Sequence, residues 1–88
     1  MEAYIQTYKE NGKIVIENIF VPKELRGQGI ARKIMQELIE NNKSVTIELH
    51  AYPQDEETEL EKLVNFYESF GFQIECGDDF SGYEMILN

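Results

Sequence analysis

A chain of 88 residues, 42% of them hydrophobic, suits one compact domain over residues 1–88 and leaves no room for a second. One cysteine excludes an internal disulfide framework, and one cysteine with one histidine argues against a built-in metal site. The net charge of −9 is uneven: residues 22–43 carry a balance of +2 and the remainder −11, which disfavours nucleic acid and anionic membrane as partners and either favours cationic ones or simply keeps the surface solvated.

The opening "EAYIQTYKENGKIVIENIFV" predicts two strands around Asn11-Gly12, a pair suited to a type I′ hairpin turn. The second strand, Lys13 to Val21, mixes alternation with apolar runs, as an interior strand does, and Pro22 ends it. From Gly27 to Glu40, Ile30, Ile34 and Leu38 recur every four residues with Ala31 and Met35 beside them, one face of a helix that Asn41-Asn42 closes. "SVTIELHAY" follows as a third strand with Val45, Ile47, Leu49 and Ala51 on one side. After the polar "PQDEETE", Thr58 and Glu61 form a capping box for a second helix whose inner face carries Leu60, Leu63, Val64 and Tyr67. Gly71 suits the end of that helix, with Phe72 packing back, and short strands near "FQIEC" and "GYEMIL" flank the turn-rich "GDDFSG". The order ββαβαββ gives an α/β sandwich with a mixed sheet. No run resembles a signal peptide or a membrane span, so a cytoplasmic location is expected.

The chemistry gathers in "VPKELRGQGIARKIM". A helix N-terminus offers unpaired N–H groups and the positive end of a macrodipole. Glycines there let an anion come close to the backbone, and Arg26 adds a charged donor. The spacing is neither that of a phosphate-binding P-loop nor that of a dinucleotide fold. A tight strand-to-helix turn built by Gly27 and Gly29 accounts for the glycines equally simply.

The same stretch resembles the R-x-x-G-x-[GA] acyl-CoA signature of the GNAT superfamily, the acetyl-CoA-dependent N-acetyltransferases. Arg26, Gly29 and Ala31 fill its fixed positions, and "LVNFYESFGF" on the next helix looks like that family's F-Y-x-x-x-G-F motif. The resemblance covers about Lys13 to Leu87. It implies a central sheet that splays, with the pantetheine arm of acetyl-CoA lying in the gap. Phe20 and Val21 would then meet that arm, and Arg26, Gly27, Gln28, Gly29, Ile30 and Ala31 would hold the diphosphate. Tyr67 matches a tyrosine that in many members protonates the departing thiolate; as a residue on an apolar helical face it reads equally as core. Glu17, acidic within "IVIENIFV", is the candidate base or else a solvent-facing strand residue, with Glu48 and His50 in reserve. Cys76 reads as a structural thiol.

The resemblance also departs from its pattern. Members commonly begin with a strand and two helices that shape the acceptor pocket, and Leu60 stands where an asparagine often precedes the motif tyrosine. The leading expectation is direct transfer of acetyl from acetyl-CoA to a primary amine, small or on a protein lysine and cationic in character. A CoA-binding or protein-interaction module of the same fold without transfer activity is the alternative, and a purely structural acidic adaptor a third. A homodimer is expected where absent N-terminal helices would leave apolar surface uncovered.

Overall fold

The computed structural model describes residues 2–53 and 59–88. Strand β1 (Tyr4–Glu10) and strand β2 (Lys13–Phe20) form an antiparallel hairpin. Its turn has positive φ at both central residues, 52° at Asn11 and 78° at Gly12, as a type I′ turn requires. A short 3-10 turn (Lys23–Leu25) leads to helix α1 (Ile30–Asn41), which crosses over to strand β3 (Ile47–Ala51), parallel to β2. Helix α2 (Leu60–Glu68) then precedes the antiparallel strands β4 (Gln73–Asp78) and β5 (Gly82–Leu87). The sheet order is β1-β2-β3-β5-β4, so β3 is central and β2 is interior.

The ββαβαββ order expected from the sequence is the observed one, and the start and inward face of α1 differ locally from expectation. Helix α1 begins at Ile30 rather than Gly27, because Gly29 takes the left-handed conformation (φ 78°) as its N-cap and Gly27 is left-handed as well. The capping box expected at Thr58 lies outside the described residues; the N-cap of α2 is Glu59, with no side-chain hydrogen bond.

Both helices pack on one face of the sheet. Ile14, Ile16, Ile47, Leu49, Ala51 and Met85 rise from the strands to meet Met35 of α1 and Val64 and Tyr67 of α2. The inward stripe of α1 is turned slightly from the one expected: Met35 is fully buried and Leu38 and Ile39 pack beside it, while Ile30 and Ile34 are only half-buried. Past the end of α2, Gly71 takes φ 103° and its N–H bonds to Glu68 O at 2.9 Å, reversing the chain so that Phe72 folds under the helix and is buried. Burying a ring of this size contributes about 1.5–3 kcal/mol. Across the helix layer, the guanidinium of Arg32 lies over Phe66 and Phe70, 5.4 and 4.9 Å from their centroids, and couples α1 to α2.

The opposite face of the sheet is open and polar. Strand alternation puts Lys13, Glu48, His50 and Glu84 there, with Val15 and Ile86 among them.

Candidate functional site

Strands β2 and β3 are paired over only three positions, Ile14–Ile47, Val15–Glu48 and Ile16–Leu49. Each then continues with its outer partner alone: β2 stays with β1 as far as Phe20, and β3 stays with β5 as far as Ala51. The facing edges of Glu17 to Phe20 and His50 to Ala51 are left without a strand partner, and a cleft of about 470 Å³ opens between them beneath the helices.

One end of this cleft is formed by the loop from Val21 to Ala31. Pro22 O accepts the N–H of Leu25 at 2.9 Å and Lys23 O that of Arg26 at 3.2 Å, which tightens the chain into the 3-10 turn. The Nε of Arg26 donates to Val21 O at 2.9 Å, so the guanidinium is tied to the end of β2 at the cleft wall. Gly27 (φ 81°) and Gly29 (φ 78°) then bend the chain into α1. Side chains on either would project into open space, with no atom within 4 Å of the added carbon. Packing does not demand these two glycines; the left-handed backbone does.

The first helical bond of α1 runs from Lys33 N to Gly29 O at 3.0 Å, leaving the N–H groups of Ile30, Ala31 and Arg32 without helical acceptors. No side chain caps this end and no acidic residue stands in its first turn. In a chain with 17 acids, an uncapped helix start beside Arg26, Arg32 and Lys33 is a local site of positive potential. An anion with several oxygens fits this cradle.

Of the residues expected to hold a cofactor, Phe20, Val21, Arg26 and Ala31 line the cleft; Gly27, Gln28, Gly29 and Ile30 join Arg26 to Ala31 across its end. Phe20 is steadied by Tyr4, whose ring centroid lies 5.4 Å away. Residues not expected at the site complete the walls: Ile19 from β2, Tyr52 and Pro53 after β3, and Leu63 and Phe66 from α2. Phe66 lay within the quoted helix motif, but nothing in the sequence showed which way it faces.

Tyr67 also lines the cleft, although the residue is only 5% exposed. Its ring stands edge-on to Phe66 and Phe72, as a core aromatic does. Its hydroxyl makes no hydrogen bond among the described residues. Burial pushes its pKa up to about 12, which keeps the phenol protonated and able to donate.

Glu17 sits at a bulge. Gln6 pairs with Asn18 and Thr7 with Ile16, so Glu17 has no partner on β1 and its side chain is re-aimed. It is exposed, and it borders both the helix-covered cleft and a second cleft of about 410 Å³ on the open face. The second cleft is acidic, with Glu10, Glu17, Glu48, Glu75 and Glu84 on its walls. Glu75 stands at a bulge of its own, between Ile74 and Cys76. Ile16, Glu17, Leu49 and His50 border both clefts, and these four residues mark the point where the two meet through the parted sheet.

Two of these carboxylates, Glu48 and Glu84, are engaged by neighbouring side chains. Lys13 Nζ bonds Glu48 Oε1 at 2.9 Å, an interaction that raises the lysine pKa. The thiol of Cys76 donates to Glu84 Oε2 at 2.9 Å; that bond raises its pKa and keeps it from acting as a thiolate. Among the described residues no group of three or more His, Cys, Asp or Glu side chains could hold a metal ion, and no helix is long and apolar enough to cross a membrane.

A parallel strand pair that parts beside an uncapped, glycine-led helix start is the arrangement that the resemblance to the GNAT superfamily implies. The comparisons agree. Residues 2–74 match the family described as "Acetyltransferase (GNAT) domain", and the chain belongs to that family. It is 32% identical over 60 residues to the Bacillus subtilis (strain 168) protein named "Putative acetyltransferase YjbC", a match covering 68% of this chain and 31% of that protein. The chain thus spans about a third of that relative's length. Among solved structures it resembles the anti-CRISPR protein AcrVA5 (28% identity, TM-score 0.78), with 99% of this chain and 90% of that one covered. Escherichia coli ElaA shares the fold (24% identity, TM-score 0.77, 99% and 60% covered), as does an N-acetyltransferase from Staphylococcus aureus Mu50 (25%, 0.66, 91% and 42%).

Proposed function

We propose that this chain moves an acetyl group from acetyl-CoA to a primary amine by direct transfer. The observation that carries the reading is the junction of two unlike clefts at the parted strands, one bordered by the Arg26 loop and Tyr67, the other by carboxylates. The diphosphate of acetyl-CoA would sit against Arg26 to Ala31, and the pantetheine arm would run along the unpaired edge of β2 at Phe20 and Val21. The acetyl group would then reach the level of Glu17 and Tyr67. The acceptor, a small amine or a protein lysine, would enter from the acidic face, which attracts a protonated amine and repels nucleic acid and anionic lipid.

Within that arrangement Glu17 relieves the ammonium of a proton, directly or through water, and Tyr67 donates to sulfur as the C–S bond breaks. Strand N–H groups left unpaired by the split supply donors for the thioester oxygen. A cytoplasmic setting, where acetyl-CoA is available, goes with this reading. A homodimer remains part of it, with its contact away from the acidic face; sedimentation at tens of micromolar tests that point.

Thermal melting with saturating acetyl-CoA tests the cofactor half. At about 100 times the dissociation constant a ligand specific for the folded chain stabilises it by roughly 2.7 kcal/mol, and the melting temperature rises accordingly. A folded sample that does not respond to millimolar acetyl-CoA overturns the proposal. A sample that binds acetyl-CoA but acetylates nothing in a broad screen of cationic amines and lysine peptides leaves the non-catalytic CoA-binding module in its place.

A further inference from the structure

The only imidazole in the sequence, His50, occupies a position that mirrors Glu17. Ile16–Leu49 is the last rung joining the parallel strands β2 and β3, so Glu17 and His50 are the first residues past it on the two sides of the opening. Both border both clefts.

The neutral ring is held in one tautomer by a turn remote in sequence. His50 Nε2 lies 2.6 Å from Ser81 O, and a carbonyl oxygen can only accept, so Nε2 carries the hydrogen. In the neutral ring the lone pair is then on Nδ1, which makes no hydrogen bond among the described residues. The turn carrying Ser81 O is itself fixed. Asp78 Oδ1 accepts from Phe80 N at 2.9 Å, from Ser81 N at 2.8 Å and from Ser81 Oγ at 2.9 Å, and these bonds lower the Asp78 pKa. Gly82 follows at φ 86°; a side-chain carbon there would fall 2.5 Å from Ala51 O and 3.0 Å from His50 Nε2. Only glycine lets the β4–β5 turn lie this close to β3.

We infer that His50, with its tautomer set by the Ser81 carbonyl, is the group that accepts the first proton from the acceptor amine through Nδ1, directly or by one water, with Glu17 positioning the ammonium. The inference rests on the acetyl-transfer reading above and changes which residue serves as base. The protons and bonds balance as follows. The ammonium gives one proton to His50, which passes it to solvent through the open cleft. The freed lone pair forms the C–N bond and the C–S bond breaks. Sulfur takes a proton from Tyr67, which recovers one from the new amide nitrogen. The titratable and charged groups that share the clefts with His50 are Tyr8 and Glu10 of β1, Glu17 of β2, Glu48 of β3, Glu75 of β4 and Glu84 of β5, with Arg26, Tyr52 and Tyr67 on the helix side.

The test combines a spectroscopic readout with kinetics. Long-range proton–nitrogen NMR of the ring in the wild-type protein is expected to show the neutral Nε2–H tautomer; an Nδ1–H tautomer overturns the inference whatever the activity. His50→Gln keeps an amide able to donate to Ser81 O. It is expected to bind acetyl-CoA normally, to lower kcat by about 10²-fold, and to lose the acid-side limb of the pH–rate profile. Glu17→Gln is expected to raise KM for the amine while keeping that limb. If His50→Gln keeps the wild-type rate and limb, or Glu17→Gln removes the limb, Glu17 is the base and the inference fails while the transferase reading stands. A wild-type protein that binds acetyl-CoA but transfers nothing to any amine brings down both.

Discussion

The two clefts that meet at the parted strands are built from different materials. The helix-covered one takes its character from main chain: two left-handed glycines, an uncapped helix start and unpaired strand edges, with Arg26 tied back to Val21 O. The open one takes its character from side chains, with five carboxylates projecting from all five strands. A main-chain site suits a ligand that does not change between turnovers. A side-chain site can be retuned for a new amine by single substitutions that leave the fold alone.

The largest effect expected from breaking this contrast lies at the junction. Tyr67→Phe keeps the ring against Phe66 and Phe72 but removes the donor; kcat falls by about 10²–10⁴-fold with acetyl-CoA affinity nearly unchanged. Steady-state kinetics beside a binding titration check it, and normal turnover strikes Tyr67 from the catalytic residues. Next comes the main-chain site. Arg26→Glu weakens acetyl-CoA binding by roughly 10–100-fold, the loss of one charge-assisted contact. Lys43→Glu, at the far end of α1 and paired with exposed Glu40, leaves binding as it was. Equal effects of the two in calorimetry would mean that the whole surface charge, and not the loop, attracts the ligand.

The smallest effect is on stability at high pH. The folded chain holds the Tyr67 proton up to a pKa of about 12, against 10.0 for the unperturbed phenol. Burial of the neutral ring thus contributes stability that is fully present below pH 10.0 and lost as pH rises towards 12. Denaturant midpoints of wild type and Tyr67→Phe are expected to separate above pH 10.0, with wild type falling below the variant, and parallel curves would show that the hydroxyl is not buried in solution.

The contrast also explains what could be read from the sequence. The glycine loop announces itself by spacing, because left-handed positions accept few residues and must stand at fixed offsets from the helix they start. Strand and helix order followed from periodicity and from Asn11-Gly12, Pro22 and Gly71, each a residue with a narrow conformational role. The acidic cleft gave no such signal. Glu10, Glu17, Glu48, Glu75 and Glu84 are scattered along the chain and converge only when β2 pairs with β3 and β5 with β3 and β4. Bulges at Glu17 and Glu75 turn side chains in ways strict alternation does not anticipate. His50 stands only in reserve in the sequence because its partner Ser81 is 31 residues away, on a turn whose approach depends on Gly82.

The short parallel seam also bears on how the molecule assembles. The sheet consists of two antiparallel ribbons, β1–β2 and β3–β5–β4, sewn together at one end by three rungs. The first ribbon closes through a two-residue turn and can form early from neighbouring residues, whereas the seam must wait for α1 to cross over. Amide exchange with solvent should follow the same ranking, slow within the ribbons, faster along the seam and fastest where it ends, at the residues that border the opening.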